Sequence, residues 1–281
     1  MAELIWLNGE IVPMSEARIS VEDRGFQFAD GVYEVIRLYG GRPFTLIEHL
    51  QRLEKSAAGI ELAVPLARMQ LKSEIERFLK QAGAFEGMIY LQLTRGHAPR
   101  NHLFPPSTGG TLLFYARPLE ALAPVEQTPA AKLMTVADER WKRCWVKSIA
   151  LLPNVLAKNA AVAAGADEAA FVDEGNVTEC AASNFFAVTA GKLVTHPVGP
   201  KVLPGITRAV LLECAKELGI PVEERPMRIE QAQQADEIFI TSTTREISPI
   251  SHWDGRPVGR SRAVTQRLHQ ALRERVAAET R

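Results

Sequence analysis

One of the ten lysines keeps unusual company. Lys147 lies in Cys144-Trp145-Val146-Lys147-Ser148-Ile149-Ala150-Leu151-Leu152, a stretch whose apolar content predicts a buried strand. Burying an ammonium costs free energy and lowers its pKa, and an amine depressed in this way can attack a carbonyl. A lysine on the open face of an edge strand fits the same residues, so both readings stand on context alone. Lys158, on a predicted helix at Leu156-Ala157-Lys158-Asn159, reads as an ordinary surface cation. Two later stretches could bind an anion. Leu203-Pro204-Gly205-Ile206-Thr207-Arg208 opens a helix, whose free N–H groups and positive dipole end favour a phosphate. Phe239-Ile240-Thr241-Ser242-Thr243-Thr244 leaves a strand with four hydroxyl residues in a row. Capping and turn chemistry also explain each alone; together they make a phosphate site without a Walker sequence.

Glu179 sits in Asn176-Val177-Thr178-Glu179-Cys180-Ala181-Ala182-Ser183-Asn184, predicted as a turn between two strands, where a solvated carboxylate is the plain expectation. Arg100 and His102 fall on a loop, Arg95-Gly96-His97-Ala98-Pro99-Arg100-Asn101-His102. A guanidinium there could clamp a carboxylate through two parallel hydrogen bonds, or could simply be solvated. Other chemistries lack support. The six histidines have no HExxH or equivalent spacing, and no GxSxG, Walker loop or GxGxxG occurs. Cys144, Cys180 and Cys214 are odd in number and form no CxxC pair, so neither a disulfide framework nor a thiolate metal site is expected.

The elements that must position these residues alternate between strand and helix patterns. Leu4–Leu7 and Glu10–Val12 flank Asn8-Gly9, the strongest short hairpin signal. A second hairpin is predicted over Tyr33–Tyr39 and Arg42–Leu46 about Gly40-Gly41. Thr45 and Glu48 are spaced as a capping box for a helix with Leu46, Leu50, Leu53 and Ala57 inward and Gly59 beyond its end. A helix over 66–82 stops at Gly83, and strands follow near 87–94 and 111–116. Pro118, Pro124 and Pro129 break a stretch without periodicity, the best linker in the chain. Beyond it come strands near 132–137, 144–150, 167–172, 184–189, 192–196 and 237–241. Helices are predicted near 154–164, over 205–218 ending at Gly219, and from about 260. The fold expected is α+β, mixed α/β, in two domains: a smaller one over 1–120, a linker over 121–130 and a larger one over 131–281 carrying Lys147.

Composition agrees with a globular chain. At about 150 residues per domain, 281 residues suggest two domains. The 33 basic and 33 acidic residues give no net charge, against a nucleic-acid binder. No apolar run approaches the roughly 18 residues of a membrane span. Met1-Ala2-Glu3-Leu4 has no cationic start, so no signal peptide and a cytoplasmic location are expected.

In their order, several segments resemble the fold-type IV pyridoxal-phosphate aminotransferases, most closely the D-amino acid aminotransferases. They are Phe28-Ala29-Asp30-Gly31-Val32-Tyr33-Glu34-Val35, Glu48-His49-Leu50-Gln51-Arg52-Leu53, the 94–102 loop and Val146-Lys147-Ser148. Val177-Thr178-Glu179 with Ser183-Asn184, Leu203–Arg208 and Ile240–Thr244 complete the set. The resemblance implies pyridoxal 5'-phosphate as cofactor, bonded to Lys147 as a Schiff base, with Lys147 then shuttling the proton between Cα and C4′. It implies that Glu179 faces the pyridine nitrogen and keeps it protonated, an electron sink for the carbanion. Arg52, Ile206, Thr207, Ser242 and Thr243 would hold the phosphate, and Leu203 would pack on the ring. Tyr33, Arg100 and His102 would trap the α-carboxylate of a D-amino acid, whose amino group passes to a 2-oxo acid in a ping-pong transamination. A homodimer is also implied, with small-molecule substrates and neither nucleic acid nor membrane as partner. Cys180-Ala181-Ala182 departs from the glycine and hydroxyl residues of the D-enzymes and bears on substrate preference. Within the resemblance an aminodeoxychorismate lyase, a branched-chain aminotransferase and an (R)-amine transaminase remain alternatives. Outside it stands a non-catalytic small-ligand-binding α/β protein with a structural Lys147.

Overall fold

A computed structural model describes residues 3–83, 85–106 and 109–280, so Met1, Ala2 and Arg281 of the expected ends lie outside it. Asn8 and Gly9 both take positive φ, +49° and +106°, as a type I′ turn requires. They join β1 (Leu4–Leu7) to β2 (Glu10–Pro13) in the register Leu7↔Glu10. With β3 (Gly31–Tyr39), β4 (Arg42–Pro43), β5 (Gly87–Thr94) and β6 (Thr111–Pro118) they form an antiparallel sheet in the order β2-β1-β6-β5-β3-β4. Along β5, buried and half-buried residues alternate, the period of a sheet covered more on one face than the other. Helix α1 (Arg24–Phe28) precedes β3; α2 (Leu46–Gly59) packs on β3 and α3 (Arg68–Ala82) on β6. Their inward rows, Leu46, Leu50, Leu53 and Ala57 and then Leu71, Ile75, Phe78 and Leu79, have helical spacing and are buried. Phe114 is stacked on Trp6 (4.8 Å between centroids) and meets Phe78 edge-on (5.4 Å).

The capping box does not form. Thr45 takes φ +52°, and its hydroxyl donates to Phe44 O rather than accepting from the helix. A capping side chain needs an extended backbone to reach the first amides, and the left-handed bend points this one away. Gly59 is the last residue of α2 rather than the residue beyond it.

Residues up to Ala121 form one compact unit together with Val146–Ala150; Leu122–Trp145 and Leu151–Glu279 form the other. The segment expected as a strand over 144–150 makes only one β-bridge, Ser148↔Val32. It is anchored to the start of β3, where Tyr33 N donates to Lys147 O (3.0 Å) and Ile149 N to Gly31 O (3.1 Å). Lys147 thus belongs to the first unit by its contacts, although sequence order places it in the C-terminal domain.

The second unit is built on a mixed sheet. Its strands are β7 (Ala131–Ala137), β8 (Glu168–Asp173), β9 (Asn176–Cys180), β10 (Asn184–Thr189), β11 (Lys192–Thr195), β12 (Val222–Glu224), β13 (Met227–Arg228), β14 (Glu237–Ser242), β15 (Glu246–Trp253) and β16 (Arg256–Pro257). They run β12-β11-β10-β14-β15-β7-β8-β9-β13, with β16 beside β15. Helices α4 (Leu152–Ala163), α5 (Ile206–Glu217), α6 (Ile229–Gln233) and α7 (Ala263–Glu279) complete it. The core gathers Leu133, Phe185, Ile238, Ile240 and Trp253. The stretch holding Glu179, expected as a turn, is the buried strand β9; the turn lies earlier, at Glu174-Gly175, where φ is +49° and +77°. No helix among the described residues is long and apolar enough to cross a membrane.

Candidate functional site

Lys147 is held by its backbone on both sides. Its N–H donates to Ser56 Oγ on α2 (3.0 Å) and its carbonyl accepts from Tyr33. Its Nζ stands 4.2 Å from the centroid of the Tyr33 ring, and Tyr33 stacks on Tyr90 of β5 (5.8 Å). The lysine is half-buried between buried Val146 and Ser148. Of the predicted site residues in this unit, the structure brings Lys147 and Tyr33 together.

Arg52 is fixed by a partner the sequence did not disclose. Glu34, fully buried on β3, accepts from Arg52 Nε (2.8 Å) and Nη2 (2.7 Å) and hydrogen-bonds His49 Nδ1 (2.7 Å). Burial alone would raise the Glu34 carboxyl, but the Arg52 guanidinium and the His49 N–H hold it down at about 2. The signal available was positional: Glu34 follows Tyr33, and His49 and Arg52 lie three apart on α2, hence on one face.

Arg100 and His102 are exposed, and both rest on Phe28 at the end of α1. The Arg100 guanidinium carbon is 4.8 Å from the ring centroid and the His102 ring 5.5 Å from it.

In the second unit Glu179 is buried and is met by three donors: Arg140 Nη1, Asn184 Nδ2 (3.0 Å) and Leu203 N (3.1 Å). Arg140 is shared. Its Nε and Nη2 donate to Asp138 (2.9 and 2.8 Å), its Nη2 also to Lys201 O (3.0 Å), and it lies over the Phe171 ring. Burial outweighs these donors and pushes the Glu179 carboxyl up to about 7. Asp138, Arg140 and Asn184 were not among the expected site residues.

Asn184 also ties Glu179 to the start of α5, donating to Leu203 O (2.9 Å). A Cβ on Gly205 would lie 1.9 Å from Asn184 Oδ1, so the close approach of that amide, not φ, requires glycine. Ile206 and Thr207 open α5, whose first amides have no partner within the helix. Opposite Asn184 in the β10–β14 ladder lies Thr241. Its buried Oγ1 finds no hydrogen-bond partner among the described residues. Ser242 ends β14 and Thr243 enters the turn to β15, both half-buried. A helix start with bare amides and an orphaned hydroxyl nearby fit a bound phosphate. A carboxyl that titrates near neutrality fits a basic ring nitrogen, so the donor set suits pyridoxal phosphate.

The description amino-transferase class IV fits a family whose model matches residues 31–253. The chain is 42% identical over 279 residues to a D-alanine aminotransferase of Listeria monocytogenes serotype 4b (strain F2365), covering 97% of this chain and 96% of that one. It is 38% identical over 278 residues to a D-alanine aminotransferase of Bacillus licheniformis, covering 98% of each. Among solved structures, the branched-chain amino acid aminotransferase of Escherichia coli superposes with a TM-score of 0.89 at 29% identity, covering 100% of this chain and 96% of that one. A T.th. branched-chain amino acid aminotransferase with pyridoxamine 5'-phosphate gives 0.89 at 31%, covering 99% and 95%. The chain therefore belongs to the class IV aminotransferases and has their fold.

Two outcomes test the second-unit geometry. The folded Glu179 carboxyl binds its proton more tightly than the usual carboxylate at 4.5. Its contribution to stability is therefore complete below that pH and is lost as pH rises toward about 7. In cofactor-free protein, Glu179→Gln is permanently neutral, so its melting temperature should gain on that of the unaltered protein between pH 5 and pH 8; a constant difference would contradict the raised pKa. Gly205→Ala should weaken equilibrium binding of pyridoxal 5'-phosphate by about tenfold or more, because the methyl group displaces Asn184 and costs on the order of 1–3 kcal/mol.

Proposed function

We propose that this chain is a pyridoxal-phosphate-dependent transaminase that moves the amino group of a D-amino acid to a 2-oxo acid in two half-reactions. The observation that carries the reading is the buried Glu179 carboxyl tied through Asn184 and Leu203 to a glycine-led helix start. Near-full-length similarity to D-alanine aminotransferases supports the D-amino acid as donor.

When bound, pyridoxal phosphate supplies an aldehyde that exchanges amines and a conjugated ring that takes up the charge left when Cα loses a proton. Lys147 Nζ would hold it through the aldehyde and, as a free amine, would carry the proton between the substrate Cα and C4′. Glu179 would face the pyridine nitrogen and keep a proton there, a role that its carboxyl, raised to about 7, suits. The α5 amides of Ile206 and Thr207 and the hydroxyls of Ser242 and Thr243 would bind the phosphate, and the resemblance adds the Arg52 guanidinium, which Glu34 orients. Leu203 would pack on the ring. Tyr33, Arg100 and His102 bind the substrate carboxylate and so decide which hydrogen of Cα faces the lysine.

The working form is a homodimer. Phe26, Leu103 and Phe104 of the first unit are exposed, as are Leu152, Val155, Leu156 and Val162 along α4 of the second, apolar side chains that a partner subunit would cover. Three free cysteines, all buried, suit a reducing cytoplasm.

Mixed with D-alanine, the yellow holoenzyme should lose its visible absorbance within one turnover, and L-alanine should leave it unchanged; bleaching by L-alanine alone would reverse the stereochemical assignment. Lys147→Ala should lower the turnover of D-alanine at least about a thousandfold, and wild-type turnover by that variant would refute the mechanism. Arg100→Ala should raise KM for D-alanine by about 10- to 100-fold, the range for losing a charge-assisted pair. Its affinity for pyridoxal phosphate should stay within about twofold, and equal losses in both would count against the carboxylate role.

A further inference from the structure

The loop bearing Arg100 and His102 is exposed, yet it is nailed down at several points by buried groups. Asp30, just before β3, accepts from Arg24 Nε (2.8 Å) and from Arg95 Nε and Nη2 (2.8 and 3.0 Å). Both arginines are buried. Arg24 Nη1 reaches on to the loop carbonyls of Asn101 (2.6 Å) and Leu103 (3.4 Å). The Arg95 guanidinium lies 3.8 Å from the centroid of the Phe104 ring. Between these anchors, Arg100 and His102 meet on Phe28, whose ring also carries the Arg24 guanidinium at 4.8 Å. Ala29 closes α1 in the left-handed region (φ +53°), setting the angle at which Phe28 leaves the helix and Asp30 enters the knot. Three residues past Asp30 in the same run is Tyr33.

An exposed arginine samples many rotamers, and ordering one on binding subtracts from affinity. A guanidinium resting on an aromatic face has lost part of that freedom beforehand. The Asp30 carboxylate is taken up by Arg24 and Arg95, and among the described residues Arg100 makes no ion pair. The loop is therefore ordered while its outermost cation is left for an anion from outside.

We propose that Phe28 and the Arg24–Asp30–Arg95 knot are the positioning residues of the substrate-carboxylate site, holding Arg100 and His102 together for a single incoming carboxylate. This rests on the role given to Arg100 and His102 above. Phe28 acts as the shared platform. Arg24 fixes the backbone between the two basic side chains, and Asp30 couples that loop to the strand of Tyr33.

Steady-state kinetics of the holoenzyme with D-alanine test this, alongside Arg100→Ala and the affinity for pyridoxal phosphate. Phe28→Leu should raise KM about fivefold, the scale of a lost cation–π contact, with kcat and cofactor affinity within about twofold. Phe28→Tyr, which keeps the ring face, should restore KM to near its original value. Arg24→Gln should raise KM about tenfold or more through the freed loop carbonyls; should that buried substitution prevent folding, the two Phe28 variants decide. An unchanged KM in Phe28→Leu, a kcat loss as large as the KM change, or no rescue by tyrosine would each overturn the positioning role. If Arg100→Ala raises KM while Phe28→Leu does not, only the positioning idea fails; if Arg100→Ala itself leaves KM unchanged, the carboxylate assignment fails with it.

Discussion

Keeping one carboxyl, Glu179, out of water sets much of the second unit. Burying an ionisable group costs several kcal/mol unless donors meet it, and each of its three donors is fixed by something else. Arg140 is gripped by Asp138 and the Lys201 carbonyl. Asn184 is locked in the ladder against β14 and spends its remaining N–H on Leu203 O. The Leu203 amide leads directly into Pro204-Gly205 and the first turn of α5. Satisfying the carboxyl therefore places the helix start, and the same Asn184 amide then forbids a side chain at 205.

Glu34 of the first unit goes the opposite way with the same number of donor contacts, and what separates the two is whether the arginine is shared. Glu34 has Arg52 twice over and His49 to itself, and it stays ionised, with a pKa of about 2. Glu179 must share its arginine with Asp138, and burial wins, leaving it at about 7. One carboxylate is a permanent clamp that aims a guanidinium. The other is poised so that a cation arriving beside it would change its charge, as the role proposed for it beside a pyridine nitrogen requires.

What could be read from sequence follows from the range of the interaction. Asn8-Gly9, the helix ends at Gly83 and Gly219 and the strand over 237–241 depend on neighbours in the chain, and each formed close to where its residues indicated. Thr45 failed because a capping pattern says nothing about the backbone angle of the preceding turn. The 144–150 stretch looked like a strand because apolar content cannot distinguish a ladder from a single bridge. Glu179 looked like a loop residue because the polar Ser183-Asn184 pair competes with Glu174-Gly175 for the turn, which hides β9. The site partners were beyond reach of periodicity altogether: Arg140 and Glu179 are 39 residues apart, and Arg24 and Asn101 are 77 apart. The ordered motifs contained Asp30, Glu34 and Asn184 without disclosing their partners, and Asp138 lay outside them altogether.

Substrate choice cannot lie in the parts shared across the family. The chain superposes on branched-chain aminotransferases with TM-scores of 0.89 at 29–31% identity, while curated relatives at 38–42% identity are D-alanine aminotransferases. In the roles proposed for them, a helix start for phosphate and a carboxyl for a ring nitrogen would serve either substrate equally. Discrimination between two faces of one Cα requires a third point of attachment at a defined angle, and uniform binding of the cofactor contributes nothing to it. Under the proposed function the loop over 97–104 would supply that point, since its basic side chains are exposed while its backbone is tied to buried arginines. A loop anchored rigidly below, with its side chains exposed above, is where a scaffold can alter substrate contacts without moving the groups proposed to hold the cofactor.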